Sequence, residues 1–385
     1  MKIERLGAAD MQELLDVLNI SFTGRADSRH FEEGLPKLWI PDDEHMGCHF
    51  AIRENGGIIA ALGVYPLEMA IAGHKLRFST VGNVATMPEA REKGCMKALM
   101  AAAMTELDDI GADVSRLGGR RSRYQRYGYE VAGINYRLTL TDRNVSDYEE
   151  QFGAADSDAL TFRRIESAED SELPAIHALY DTQPVRVLRG EGVDFFNILR
   201  AWSNLPHAAY RNGCLCGHIC AKGGDIAEFC AENDVTAFAM LRAWQKQVNS
   251  QISFNIFPWQ TGLMRLIGRY NETISVNSPS HFKILNWDRV AAALLNLKLT
   301  FSTLCGGCFV LGIDGKRLEI AVDGGKACVG YTEKEPDIRL DGLDAVRFLF
   351  GPADPLLAFD VPADIAPAVS SWLPLPLGWN GQDRV

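Results

Sequence analysis

The sequence predicts an α+β protein made of three consecutive units, and two patterns point to that organisation. A strand, a helix, antiparallel strands and a second helix occupy the first 150 residues, and the same order returns between residues 161 and 285 as a diverged repeat. After Asn286 the pattern changes to alternating strands, one further helix and a proline-rich tail. A chain of 385 residues, 47% of them hydrophobic, exceeds what one core usually organises and can fill several.

The first unit opens with strand-like residues 2–6. Asp10 and Glu13 then form a capping-box pattern ahead of Leu14, Leu15, Leu18 and Phe22 at helical spacing. Residues 49–53, 58–71 and 76–86 read as successive antiparallel strands, separated by turns at Asn55-Gly56 and Gly73. Pro88 is expected to open a long helix with Leu99, Ala103, Leu107 and Ile110 on one face, ended by Gly111. Residues 141–158 are polar and acidic and read as a linker.

In the second unit, a strand at 161–164 leads to a helix capped within residues 167–170. A hairpin follows through Asn212-Gly213, then a helix around 238–248. Residues 299–313 and 317–322 read as strands of the third unit, and 343–350 as its helix. The tail from 352 onward carries Leu356, Leu357, Phe359, Trp372 and Trp379, and should pack on the other units. The boundaries are therefore 1–150, 151–285 and 286–385.

Composition excludes several classes of function. The net charge of -11 argues against general nucleic-acid binding, which needs a basic face, and favours cationic partners. Apolar stretches such as 58–62 and 98–104 fall well short of the roughly 20 residues that span a bilayer, so no membrane association is expected. The first residues lack a secretory signal, which predicts a cytoplasmic protein. Nine scattered cysteines read as reduced thiols. The group Cys214, Cys216, Cys220 and the pair Cys305, Cys308 lack the paired spacing of a zinc site, so no metal is expected.

The stretch that carries chemistry runs from Val81 to Met96. There a strand passes into a loop bearing Gly94 at a helix start, where free backbone N–H groups and the helix dipole favour a pyrophosphate. Val84, Ala85, Thr86, Arg91, Glu92, Lys93, Gly94, Cys95 and Met96 are the candidate cofactor residues. Arg116, Arg120, Arg121, Arg123 and Arg126 form a local basic run that can meet phosphates beside such a loop. Downstream lies Tyr124-Gln125-Arg126-Tyr127-Gly128-Tyr129.

With Arg91-x-x-Gly94-Cys95-Met96 and Tyr124-x-Arg126-Tyr127-Gly128-Tyr129, the sequence resembles the GNAT acetyltransferase superfamily. The closer resemblance is to its enhanced-intracellular-survival (Eis) branch. Met96 stands where most of the superfamily has Gly or Ala, a mark the branch tolerates. The resemblance covers the whole chain and implies two tandem GNAT-type folds followed by a domain similar to sterol carrier proteins. It implies an acetyl-CoA-dependent N-acetyltransferase, assembled as a trimer or hexamer. The second copy has Ala231 to Phe238 where the phosphate loop should stand, with no glycine and with Glu232 and Asp234, which repel a pyrophosphate.

The same resemblance implies roles for single residues. The Val84 backbone N–H would hold the thioester carbonyl, Tyr124 would protonate the departing CoA sulfur, and the terminal carboxylate of Val385 would accept the proton of the amine. The branch usually ends on an aromatic residue, so valine is a departure that bears on this last role. Asp27, with Glu32 and Glu33, can guide a cationic amine such as a polyamine, an aminoglycoside-like compound or a lysine side chain. Phe31 and Trp39 can wall the acceptor pocket, whereas His49 and His74 read as structural. The rival reading is a regulator without turnover, which binds CoA or uses the carrier-like unit to hold a lipid.

Overall fold

The computed structural model describes residues 1–152 and 159–385. In chain order its strands are β1 (Glu4–Arg5), β2 (His49–Glu54), β3 (Gly57–Ile71), β4 (His74–Thr86), β5 (Val114–Leu117), β6 (Glu130–Ala132), β7 (Asn135–Leu140), β8 (Leu160–Arg164), β9 (Val185–Val187), β10 (Leu205–Arg211), β11 (Cys214–Lys222), β12 (Asp225–Ala231), β13 (Ile252–Ile256), β14 (Thr273–Asn277), β15 (Ser280–Ile284), β16 (Gly307–Ile313), β17 (Lys316–Asp323), β18 (Lys326–Tyr331) and β19 (Ile338–Leu340). Among the described residues they form three sheets. The first runs β1-β2-β3-β4-β5-β15-β6 with β9 against the far end of β3, the second β14-β7-β13-β12-β11-β10-β8, and the third β18-β17-β16-β19.

The expected hairpins form because their central residues adopt positive φ. Asn55 and Gly56 have φ of 52° and 87°, and Asn212 and Gly213 of 51° and 80°. These primed turns match the twist of the strands they join. The first two sheets share one layout: antiparallel strands, then a helix, then a parallel neighbour, with helices Cys95–Asp109 and Asp234–Val248 in equivalent places. The sheets are also interlocked. β7, which precedes residue 150, pairs inside the second sheet, and β15 fills the place between β5 and β6 in the first.

Four local expectations are corrected. Asp10 does not cap helix Met11–Thr23: its carboxylate accepts from the Gly7 amide at 2.9 Å and from Arg53, while Glu13 reaches the Ile58 amide. Pro88–Ala90 is a single 3-10 turn, and the long helix starts at Cys95. Residues 142–152 are no linker but a helix, Asp142–Phe152, held by buried Val145 and by Tyr148, whose ring centroid lies 4.3 Å from that of Tyr270. The rest of that segment, residues 153–158, lies outside the described residues. Finally, residues 287–299 form a helix, Trp287–Leu299, that buries Val290, Ala291, Leu294, Leu295 and Leu297, so the strand read from 299 begins only at Gly307.

The tail packs in part as expected: Leu356 and Leu357 stay exposed on the short helix Pro355–Ala358, while helix Ala366–Trp372 packs on the third sheet, where Phe309 stacks on Trp372 at 5.4 Å. The chain then runs extended along the first two sheets. The Ile134 amide donates to the Leu377 carbonyl, and Trp379, 1% exposed, lies 5.7 Å from Phe78 and 6.5 Å from Phe282. Among the described residues no helix is long and apolar enough to cross a membrane.

Candidate active site

The site grows out of a divergence between two strands. β4 and β5 pair in parallel only from Phe78–Val114 to Val81–Leu117; β5 then ends, and Gly82–Thr86 continues with one backbone edge lacking a strand neighbour. At the same place β4 carries a bulge. Gly63 pairs with Gly82 and Ala61 with Ala85, leaving Asn83 and Val84 opposite Leu62 alone, with Asn83 at φ 53°.

A hydrogen-bonded chain fixes that bulge. Burial pushes the His49 imidazole down to about 4, so it is neutral; its Nδ1–H donates to the Met46 carbonyl at 3.2 Å, and its Nε2 accepts from the Tyr65 hydroxyl at 2.8 Å. The Tyr65 oxygen in turn accepts from Asn83 Nδ2 at 2.6 Å. Trp39 stacks on His49 with ring centroids 5.5 Å apart.

Beyond the bulge lies an open groove of about 620 Å³, lined by Val84, Ala85, Thr86, Arg91, Glu92, Gly94, Cys95 and Met96, together with Phe22 and Arg123. Gly94 caps helix Cys95–Asp109 at φ 82°, and among the described residues no side chain caps the first amides, the arrangement that suits an anion. Lys93 is the one predicted cofactor residue turned elsewhere: its amine pairs with Glu54 at 2.8 Å and does not line the groove.

Of the basic run, only Arg123 borders the groove. Arg116 is buried on β5 with its guanidinium 5.4 Å from the Trp379 ring. Arg121 is bidentate to buried Glu130 at 2.6 and 3.0 Å, and Gln125 joins the same carboxylate at 2.9 Å. These bonds hold the turn that carries Tyr124. The Tyr124 ring lies over Gly119, where a β-carbon would fall 3.0 Å from its Cε2, and burial raises the hydroxyl pKa, keeping it protonated.

Tyr124 packs in the core beneath helix Cys95–Asp109, and Val385 in the core beneath helix Met11–Thr23. The two residues thus lie on opposite faces of the first sheet, and neither lines the groove. A β-carbon placed on Gly82 would stand 2.7 Å from Val385 Cγ2 and 3.5 Å from its carboxyl carbon. The last residue is therefore seated on β4, beside the bulge.

Of the predicted acceptor residues, Phe31 and Trp39 stay together and Asp27 stands apart. Phe31 is 5% exposed in the core under helix Met11–Thr23, and Trp39 donates from Nε1 to its carbonyl at 2.9 Å. Asp27 stands on an exposed loop, paired with Arg25 at 2.8 Å. Phe22, 56% exposed at the groove and edge-on to Phe31 at 5.1 Å, takes the place expected of an aromatic wall. His49 takes the structural place read for it, whereas its partner Tyr65 and the role of Gly82 went unread in the sequence. A Gly-Asn pair inside a strand run was the available signal.

The second sheet has the same divergence. β12 and β13 pair only at Asp225–Ser253, but here the chain's own tail enters the gap: a β-carbon on Gly381 would stand 3.2 Å from the Ala227 carbonyl. Helix Asp234–Val248 is capped by Asn233, whose side chain accepts from the Thr236 amide at 2.9 Å. Its N-terminus has spent an amide that an anion would need.

Residues 2–132 match the family model of the acetyltransferase (GNAT) domain. Solved structures similar over nearly the whole chain include Eis1 from Mycobacterium abscessus (16% identity, 99% of each chain covered, TM-score 0.65). A GCN5-related N-acetyltransferase from Kribbella flavida is 15% identical, with 98% of each chain covered and a TM-score of 0.68. A probable N-acyltransferase from Enterococcus faecalis V583 is 16% identical over 98% of this chain and 97% of that one, with a TM-score of 0.67. No curated protein matches the sequence.

Proposed function

We propose that the chain, whose residues 2–132 match the acetyltransferase (GNAT) domain and whose fold is similar to that of Eis1, is a GNAT-type N-acetyltransferase that transfers the acetyl group of acetyl-CoA to a primary amine at the divergence of β4 and β5. The observation that carries this reading is the uncapped helix start at Gly94, which lies in the same groove as the unpaired edge of β4. The helix amides, with Arg91 and Arg123 beside them, would hold the pyrophosphate, the free edge of β4 would pair with the pantetheine, and the Val84 amide would hold the thioester carbonyl as negative charge develops there.

Two groups then move protons. The Val385 carboxylate accepts a proton from the ammonium of the acceptor, which frees the nucleophilic lone pair. After attack the C–S bond breaks and Tyr124 protonates the departing thiolate, while the proton shed by the former amine nitrogen restores the Tyr124 hydroxyl and the carboxyl of Val385 returns its proton to solvent. A hydroxyl kept protonated by burial suits that role. The acidic balance of the chain favours a cationic acceptor: a polyamine, an aminoglycoside-like molecule or a lysine side chain.

In the same reading residues 1–150 are the catalytic domain, 151–285 a degenerate copy and 286–385 a sterol-carrier-like domain, with strands β7 and β15 exchanged between the first two, in an assembly of three or six chains. The copy does not bind CoA, because the tail fills its gap and Asn233 caps its helix. Thiol release from acetyl-CoA over a panel of amines tests the proposal. Turnover that falls at least tenfold in Tyr124→Phe supports it. Binding of CoA with no thiol release for any amine would favour the regulator instead.

A further inference from the structure

A chain terminus ordinarily frays, yet a catalytic base must stand within hydrogen-bond reach of its proton. The residues before Val385 are tied down on several sides. Asn204 Nδ2 donates to the Gln382 side-chain oxygen at 3.1 Å, and Gln382 Nε2 donates to the carbonyls of Ile198, at 3.2 Å, and Leu199. Lys37, from the N-terminal domain, donates to the Gln382 carbonyl at 2.6 Å.

The strongest tie is ionic. Arg189 follows β9 and is buried, with its guanidinium 4.0 Å from the Tyr180 ring. Its Nε and Nη2 donate to the two oxygens of Asp383, each at 3.0 Å. Its Nη1 and Nη2 donate to the two oxygens of Glu228 on β12, at 2.9 and 2.5 Å. His218 Nε2 lies 3.1 Å from Glu228 Oε1. His218, Cys220 and Glu228 are close enough to suggest a metal site, but both Glu228 oxygens are already engaged by the arginine.

Fork-to-fork pairing of this kind fixes orientation as well as distance, and a buried ionic group is best attested as a device that sets register. Here the register being set is that of the tail. Two residues beyond Asp383, the chain ends against Gly82.

We infer that Arg189 is the positioning residue for the terminal carboxylate: by gripping Asp383 against Glu228, it makes the second sheet the anchor that seats Val385 on β4 of the first, beside the bulge. This rests on the reading of Val385 as the base. It gives the copy without a cofactor a task in the reaction, since Glu228 lies on the very stretch of β12 that has no strand partner toward β13.

The test uses the full-length protein with Asp383→Asn and Glu228→Gln, which keep side-chain shape, and Arg189→Lys beside Arg189→Ala. The expected result for the two amide variants is a kcat at least tenfold lower, with KM for acetyl-CoA within twofold of wild type and an unchanged far-ultraviolet circular dichroism spectrum. Carboxypeptidase should release valine from them at least tenfold faster than from wild type. Arg189→Lys should retain more of kcat than Arg189→Ala. Wild-type kcat, or unchanged valine release, in folded Asp383→Asn overturns the inference. Removal of Val385 at no cost in rate would sink the base, and the catalytic meaning of the clamp with it; the valine-release arm would still report whether Arg189 anchors the tail.

Discussion

Val385 and Gly82, at opposite ends of the sequence, are in contact: the carboxyl carbon of the last residue lies 3.5 Å from where a β-carbon on Gly82 would stand. Only a residue without a side chain lets the terminus sit that close to the strand beside the bulge.

Gly82→Val should therefore displace the terminus, since even its first carbon would fall 2.7 Å from Val385 Cγ2. The expected outcome is a fall of at least tenfold in kcat, with KM for acetyl-CoA changed less than twofold, read from steady-state thiol release. Equal kcat in the variant would remove the terminal carboxylate from the mechanism.

Gly94→Glu strikes the other end of the groove. Gly94 has φ 82°, where a side chain is strained, and a carboxylate there would face the anion that the helix start attracts. Acetyl-CoA affinity measured by calorimetry should drop at least tenfold. Unaltered affinity would mean that the phosphates bind elsewhere.

Tyr65→Phe removes the link between Asn83 and His49, leaving Asn83 Nδ2 and the buried His49 Nε2 without their partner. A cost of about 1–3 kcal/mol is expected in urea unfolding. The rate should fall as well, because Asn83 holds the bulge that aims the Val84 amide.

Acid should loosen the tail clamp. Burial opposes ionisation of Glu228, but the Arg189 charge and the hydrogen bonds from His218 and Arg189 outweigh it and hold the carboxyl at about 2, against an ordinary value of 4.5. Because the folded value is depressed, its contribution is fully present above about pH 4.5 and is lost as pH falls toward 2. That loss is on the order of 3 kcal/mol. Glu228→Gln should flatten the fall of melting temperature over this range. A slope as steep as wild type would place the acid sensitivity in other groups.

How much was legible follows from distance along the chain. The hairpins at Asn55-Gly56 and Asn212-Gly213, and the buried faces Leu14, Leu15, Leu18 and Leu99, Ala103, Leu107, are local patterns and form as read. Helix Asp142–Phe152 was hidden because its few apolar residues, Val145, Tyr148 and Phe152, stand among acids that dominate the composition. Helix Trp287–Leu299 was hidden because a short apolar run does not by itself separate helix from strand.

By itself the sequence determined the repeated strand and helix order, and the glycine at the start of helix Cys95–Asp109, because turn chemistry, periodicity and capping act within a few residues. Tertiary structure alone decided the rest. It brought Lys37 to Gln382, Tyr65 to Asn83 and Arg189 to Asp383, and it exchanged β7 and β15 between the first two sheets. Those contacts join residues from 18 to 345 positions apart, and such partners are chosen by burial and charge pairing in the folded molecule rather than by any local preference of the chain.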